Sequence, residues 1–187
     1  MRACRLHITG ASGTGTTTLG RAVASAWSVP HADVDDYFWV PTHRPYVVKR
    51  DVLDRLRLMD EVFLPRDSWV LSGSAMGWGD PLIGLFDAVV FLALDPITRL
   101  QRLKTREALR YGRAVASDGP GEDAPRAFMS WARGYDAPDF PGRSRARHDR
   151  WLSTLPCPVL HLDSTEPVPR LQAALDEWTP DSPETGR

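Results

Sequence analysis

The chain of 187 residues is 42% hydrophobic and 25% charged, a mixture that fits a soluble folded protein and excludes a disordered chain, a collagen-like repeat and a disulfide scaffold. Its 23 basic and 24 acidic side chains nearly cancel, so no global field marks an obligate nucleic-acid or membrane-surface binder. At roughly 150 residues per domain, the length predicts one domain over residues 1–178 with one active site, followed by a fraying polar tail at 179–187.

Short apolar runs at Arg5–Thr9, His31–Asp35, Trp69–Ser72, Ala88–Leu94 and Val159–Asp163 read as buried strands. Between them, Thr16–Trp27, Asp51–Phe63, Pro96–Tyr111 and Val168–Trp178 have helical spacing, clearest in Leu53, Leu56, Met59, Val62 and Phe63. Strands alternating with helices predict an α/β fold with a parallel sheet covered on both faces. Tyr111–Pro125 breaks the rhythm with glycines and prolines, and predicts a mobile loop within a lid over about 106–135. Asp139–Arg150 carries Arg143, Arg145, Arg147 and Arg150 and predicts a helix running on through Leu152 with a solvated basic face.

Cys4 and Cys157 follow no metal-ligand or Cys-x-x-Cys spacing and read as two reduced, packed thiols. Residues 1–9 hold no apolar run long enough for a signal peptide, and no stretch approaches the roughly 20 apolar residues of a bilayer span. The expectation is a cytoplasmic protein, monomer or homodimer, with no membrane partner.

Gly10-Ala11-Ser12-Gly13-Thr14-Gly15-Thr16-Thr17-Thr18 lies after the first strand and opens the first helix. In Gly-x-x-x-x-Gly-Lys-[Ser/Thr], glycines let backbone amides face phosphate oxygens, the helix N-terminus adds positive potential, and the last hydroxyl reaches magnesium. Gly10, Gly13, Gly15 and Thr17 match, whereas Thr16 stands where the lysine should be. That lysine normally places a point charge on the β- and γ-phosphates. With only Lys49 and Lys104 against 21 arginines, an arginine is the natural replacement for the charge.

His31-Ala32-Asp33-Val34-Asp35-Asp36 sets three carboxylates at the end of the second strand, the edge where open α/β sheets bind ligands. Strand alternation predicts Asp33 and Asp35 on one side, with Asp33 serving the metal and Asp35 taking a proton from an acceptor hydroxyl. Asp36, Gly73, Ser74 and Trp78 are expected around the acceptor, Trp78 by stacking on a ring. Ser72 stands where many such enzymes carry a magnesium-orienting aspartate. Arg99, Arg102, Arg106, Arg110 and Arg113 recur at helical spacing and predict a cationic face over a transferring phosphoryl group, led by Arg102 and Arg106.

The loop is similar to the lysine-lacking Gly-x-x-Gly-x-Gly-Thr-x-Thr loop of phosphoribulokinases. From Arg5 to about Glu177 the order of elements resembles P-loop kinases of the nucleoside-monophosphate-kinase and shikimate-kinase group. Asp36-x-x-Trp39-x-Pro41, Trp69-Val70-x-Ser72-Gly73-Ser74 and Phe86-Asp87-Ala88-Val89-Val90-Phe91-Leu92 look like a bacterial set of adenylate-kinase-like or DNA-topology-modulation-protein-like ATPases. The resemblance implies a P-loop NTPase fold with a five-stranded parallel sheet of order 2-3-1-4-5, ATP at Gly10–Thr18 and a small arginine-bearing lid. It also implies an acceptor between Asp35 and the 73–79 loop. Adenylate kinase itself is not expected, because its Gly-Phe-Pro-Arg sequence does not follow Ser72.

The expected activity is transfer of phosphate from ATP or GTP, with magnesium, to a small hydroxylated or phosphorylated metabolite such as a nucleoside or nucleotide. Two alternatives stand beside it: a nucleotide-binding regulator with little transfer activity, prompted by Thr16, and a nucleic-acid-associated ATPase, prompted by the 143–150 arginines.

Overall fold

The computed structural model describes residues 1–43, 45–111 and 123–179. Arg113 and most of the Tyr111–Pro125 loop therefore lie outside the described residues, as does nearly all of the 179–187 tail.

Strands β1 (Arg5–Gly10), β2 (His31–Asp33), β3 (Trp69–Ser72), β4 (Ala88–Ala93) and β5 (Val159–Asp163) form one sheet of order β2-β3-β1-β4-β5. Every pair is parallel, so all five carboxyl ends share one edge. The order is the one the resemblance implied.

Helices α1 (Thr16–Trp27) and α7 (Val168–Glu177) cover one face, where Leu6 and Ile8 of β1 meet Leu19, Val23, Leu171 and Leu175. The opposite face takes α2 (Val34–Phe38), α3 (Val52–Val62) and α6 (Arg145–Leu152), packed through Tyr37, Met59, Phe63, Trp151 and Leu152 onto Trp69, Leu71 and Phe91. Helix α4 (Pro96–Tyr111) follows β4 and packs against α5 (Asp123–Arg133). The three inner strands of the sheet, β1, β3 and β4, are buried on both faces.

Three sequence expectations are corrected. The second strand stops at Asp33 rather than Asp35, because Asp33 caps α2: its Oδ1 accepts the Asp35 amide at 3.0 Å. Asp33 and Asp35 therefore do not alternate along one strand. In α3, Leu53 and Val62 are 76% and 51% exposed, and the inward row is Arg55, Met59 and Phe63. Arg55 is buried because the Phe38 ring lies 3.9 Å from its guanidinium carbon and its Nε donates to the Arg50 carbonyl at 2.8 Å. The expected loop also ends earlier than Pro125, since α5 begins at Asp123.

Among the described residues no helix is long and apolar enough to cross a membrane. Cys4 and Cys157 are free and partly buried, and burial pushes the Cys4 thiol up to about 12.

Candidate active site

A cleft of about 830 Å³ opens along the carboxyl edge of the sheet. The loops after β1, β2, β3 and β5 form its floor and α4 one wall, because parallel strands deliver every following loop to that edge.

The loop between Gly10 and Thr16 turns on glycine. Gly13 has φ 93°, and a Cβ there would lie 2.9 Å from Leu103 Cγ and 3.0 Å from the Arg99 carbonyl oxygen. The loop is pinned from outside by Arg99, whose side chain is 1% exposed. Its Nη1 donates to the Ser12 carbonyl at 3.3 Å, and its Nη2 donates to the Ala132 carbonyl at 3.0 Å and to Asp136 Oδ2 at 2.6 Å. Ser164, just past β5, donates its hydroxyl to the Thr14 carbonyl from the other side. The first turn of α1 then presents amides with no intrahelical partner toward the cleft.

Gly10, Ala11, Ser12, Gly13, Gly15, Thr16, Thr17 and Thr18 line the cleft. Thr14 does not: its side chain is buried and bonds back to the Ala11 carbonyl at 2.9 Å. Thr17 donates to Asp33 Oδ2 at 2.7 Å. A hydroxyl beside a carboxylate at the end of a phosphate loop fits an octahedral, oxygen-seeking cation such as magnesium. Ser72 takes no part, since its hydroxyl is engaged with His31 Nε2 at 2.9 Å.

Asp35, Asp36, Gly73 and Ser74 lie on the same cleft. Burial, and then the neighbouring Asp33, hold the Asp35 carboxyl above the usual range, while Arg143, Arg106 and a hydrogen bond from Trp39 pull it back. Asp36 is raised by the same two causes. Ser74 reaches into a buried chain: its hydroxyl is 3.2 Å from His148 Nε2, and His148 Nδ1 is 2.9 Å from the Tyr135 hydroxyl. Burial lowers His148 to about 3 and raises Tyr135 to about 12, so the ring stays neutral and the phenol protonated. Trp78 is not on the cleft. It packs into the core beside Phe38, with centroids 6.0 Å apart, and lies 5.0 Å from the Arg55 guanidinium. In place of the stacking on a ligand ring expected of it, the indole makes an edge-on contact with Phe38.

On α4, Arg102 and Arg106 both line the cleft. Arg102 donates to the Ser164 hydroxyl at 3.1 Å and the Ser164 carbonyl at 2.9 Å. Arg106 pairs with the buried Glu107 at 3.0 Å. Arg110 reaches Tyr46, at 3.4 Å from the phenol oxygen. Tyr46 sits in the left-handed region at φ 63° in a strap tied by the Trp39–Lys49 bridge.

Several cleft residues were not singled out for this site from sequence: Arg21, Tyr46, Arg143 and the loop Ser164–Pro167. The loop was legible in principle, since it follows a strand at the same edge as Asp33. Arg143 was not, because it is brought from a distant segment read as a solvated face. The rest of that arginine run is engaged locally: Arg145 pairs with Asp149 at 2.9 Å, and Arg147 donates to the Pro141 and Gly142 carbonyls. Arg145, Arg147 and Arg150 are all exposed, the solvated face that the sequence predicts.

No family model matches the sequence. The chain is 40% identical over 158 residues to the uncharacterized protein YqaC of Bacillus subtilis (strain 168), covering 84% of this chain and 87% of YqaC. Among solved structures it is similar to a gluconokinase from Sinorhizobium meliloti 1021, with a TM-score of 0.52 and 17% identity over 94% of this chain and 92% of that one. A shikimate kinase from Bacteroides thetaiotaomicron gives 0.51 and 22%, over 92% and 98%. The five-stranded parallel sheet of order 2-3-1-4-5 matches the fold of these P-loop kinases, and by its sequence identity the chain belongs to the family of Bacillus subtilis YqaC.

Proposed function

We propose that the chain is an ATP- or GTP-dependent phosphotransferase acting on a small hydroxylated or phosphorylated metabolite. The observation that carries this reading is the pairing of Thr17 with Asp33 at 2.7 Å at the mouth of a glycine-turned loop, with Asp35 on the same cleft. Two proteins of the same fold are named a gluconokinase and a shikimate kinase, which supports a small-molecule acceptor.

In this reading the amides of residues 11–17 hold the triphosphate, and Thr17 and Asp33 hold magnesium. The ion, when bound, neutralises charge on the β- and γ-phosphates. Asp35 accepts the proton of the acceptor hydroxyl as its oxygen bonds to the terminal phosphorus and the bond to the β–γ bridging oxygen breaks, the nucleoside diphosphate leaving with that electron pair; the raised pKa of Asp35 brings it nearer to that task than an ordinary aspartate. Arg102 and Arg106 stand over the transferring phosphoryl, with Arg106 exchanging Glu107 for phosphate oxygens. Asp36, Gly73 and Ser74 surround the acceptor.

A calorimetric titration with ATP, with and without magnesium, tests the reading. Magnesium-dependent binding in the micromolar range is expected, and no binding up to millimolar nucleotide overturns it. Thr16 favours a second reading, a nucleotide-binding regulator. Tight nucleotide binding without turnover across sugar, polyol, nucleoside and nucleotide acceptors selects it.

A further inference from the structure

The phosphate loop has a threonine where its cation should be, yet a cation stands beside it. We infer that Arg143 supplies, from outside the loop, the positive charge that the loop's missing lysine would place on the terminal phosphates of a bound nucleoside triphosphate. The inference rests on the nucleotide reading above and names the residue that completes it.

Arg143 lies on the segment leading into α6, which starts at Arg145. Its Nη2 donates to the Ser12 hydroxyl at 2.7 Å, in the middle of the loop. Its guanidinium lies 5.0 Å from the Trp131 ring, which holds the plane of the fork. Its Nε is enclosed and has no hydrogen-bond partner.

Four arginines of α4 already hold protein groups: Arg99 is paired with Asp136, Arg102 spends two nitrogens on Ser164, and Arg106 and Arg110 share Glu107. Arg21 on α1 also lines the cleft, but Arg143 is the arginine that bonds a side chain of the loop itself. Among the described residues Arg143 has no carboxylate within ion-pair distance. An enclosed cation without a paired anion is costly, and an anionic ligand relieves that cost. Burial already disfavours its charged form, and the negative charge of Asp35 opposes this.

Position completes the argument. The guanidinium shares one cleft with the loop amides, Thr17 and Asp35. Anchored on Ser12, it stands where it can reach the oxygens of a phosphate held by the loop amides. A planar fork also gives two parallel bonds to a phosphate, which a lysine cannot.

The test compares wild type, Arg143→Gln, Arg143→Ala and the double variant Arg143→Ala/Thr16→Lys by titration with magnesium-ATP and with inorganic tripolyphosphate. Arg143→Gln keeps a donor for Ser12 and covers the case in which the alanine variant fails to fold. Both single variants are expected to lose affinity for both ligands by about 10-fold to 100-fold, the range for a charge-assisted hydrogen bond. The lysine returned at position 16 is expected to recover about 10-fold of that loss. Affinities within threefold of wild type in the folded single variants overturn the inference alone. A wild-type chain that binds neither ligand overturns both the inference and the nucleotide reading.

Discussion

Asp33 divides its two oxygens between structure and chemistry: Oδ1 caps α2 through the Asp35 amide, and Oδ2 accepts from Thr17. One side chain thereby sets where the strand ends and where α2 begins and, in the proposed mechanism, where magnesium is held. The hydrogen bond that Asp35 accepts from Trp39 can also be accepted by an asparagine, so Asp35→Asn is expected to lower transfer by about 10²-fold to 10⁴-fold, the range of a positioned general base. Nucleotide affinity, read by titration, should change little. Equal losses in binding and in folding would make Asp35 structural. The pH profile carries a second test. Because burial and Asp33 raise the Asp35 carboxyl, the base is protonated and turnover falls, on the acid side, at a higher pH than for an ordinary aspartate. An acid limb with its midpoint at or below the usual aspartate value would remove Asp35 from the role.

Helix α4 works as an element because its arginines differ in burial. Arg99, near the start, is almost fully enclosed and ties together the phosphate loop, the end of α5 and the Gly134–Asp136 turn. Arg102, one turn on, holds the loop after β5. Arg106 and Arg110 are more open and share one carboxylate. Removing Arg99 leaves Asp136 and two carbonyls without their donor, so Arg99→Met is expected to destabilise the protein by about 3 kcal/mol. Urea unfolding checks this, and a change under about 1 kcal/mol would mean the loop holds its shape without the clamp. The same helix shows what periodicity can and cannot say. The spacing of its arginines predicts one face, but which of them turns toward protein and which toward the cleft depends on α5 and the loops, elements far away in the chain.

At the scale of the whole molecule, two histidines lie inside the protein. His7 sits on the central strand, fully buried, with Nδ1 donating to the Leu71 carbonyl at 3.1 Å and its ring stacked on Phe86 at 4.8 Å. Burial lowers it to about 4, and His148 to about 3. Their folded pKa values lie below the unfolded value of 6.5, so the unfolded chain binds more protons in acid. Their stabilising contribution is complete above that value and is lost as pH falls from it toward 4 and then 3. By pH 5 each contributes a loss of about 2 kcal/mol. Urea midpoints between pH 7.5 and pH 5 measure the slope, and His7→Asn, which keeps a donor for Leu71, should reduce it. A slope unchanged by that variant would place the acid sensitivity elsewhere.

The sequence by itself determined the parallel α/β sheet, its strand order through the resemblance, and the glycine-rich loop at the end of β1. Those features are local: strand periods, a glycine spacing and a helix start are written within a dozen neighbouring residues. The sheet edge followed from them, but the exact setting of Asp33 did not: strand alternation predicts Asp33 and Asp35 on one side of a strand, whereas β2 ends at Asp33, which caps α2 while accepting from Thr17. Trp78 could not be read this way, because whether an aromatic faces a ligand or the core is decided by its neighbours, and Phe38 and Arg55 take it. Nor could Arg143. Its neighbours in sequence, Arg145 and Arg147, face outward or cap their own chain, and 131 residues separate it from Ser12. Only the tertiary structure brings that charge to the loop, because a long-range electrostatic contact leaves no period, spacing or composition in either of the segments it joins.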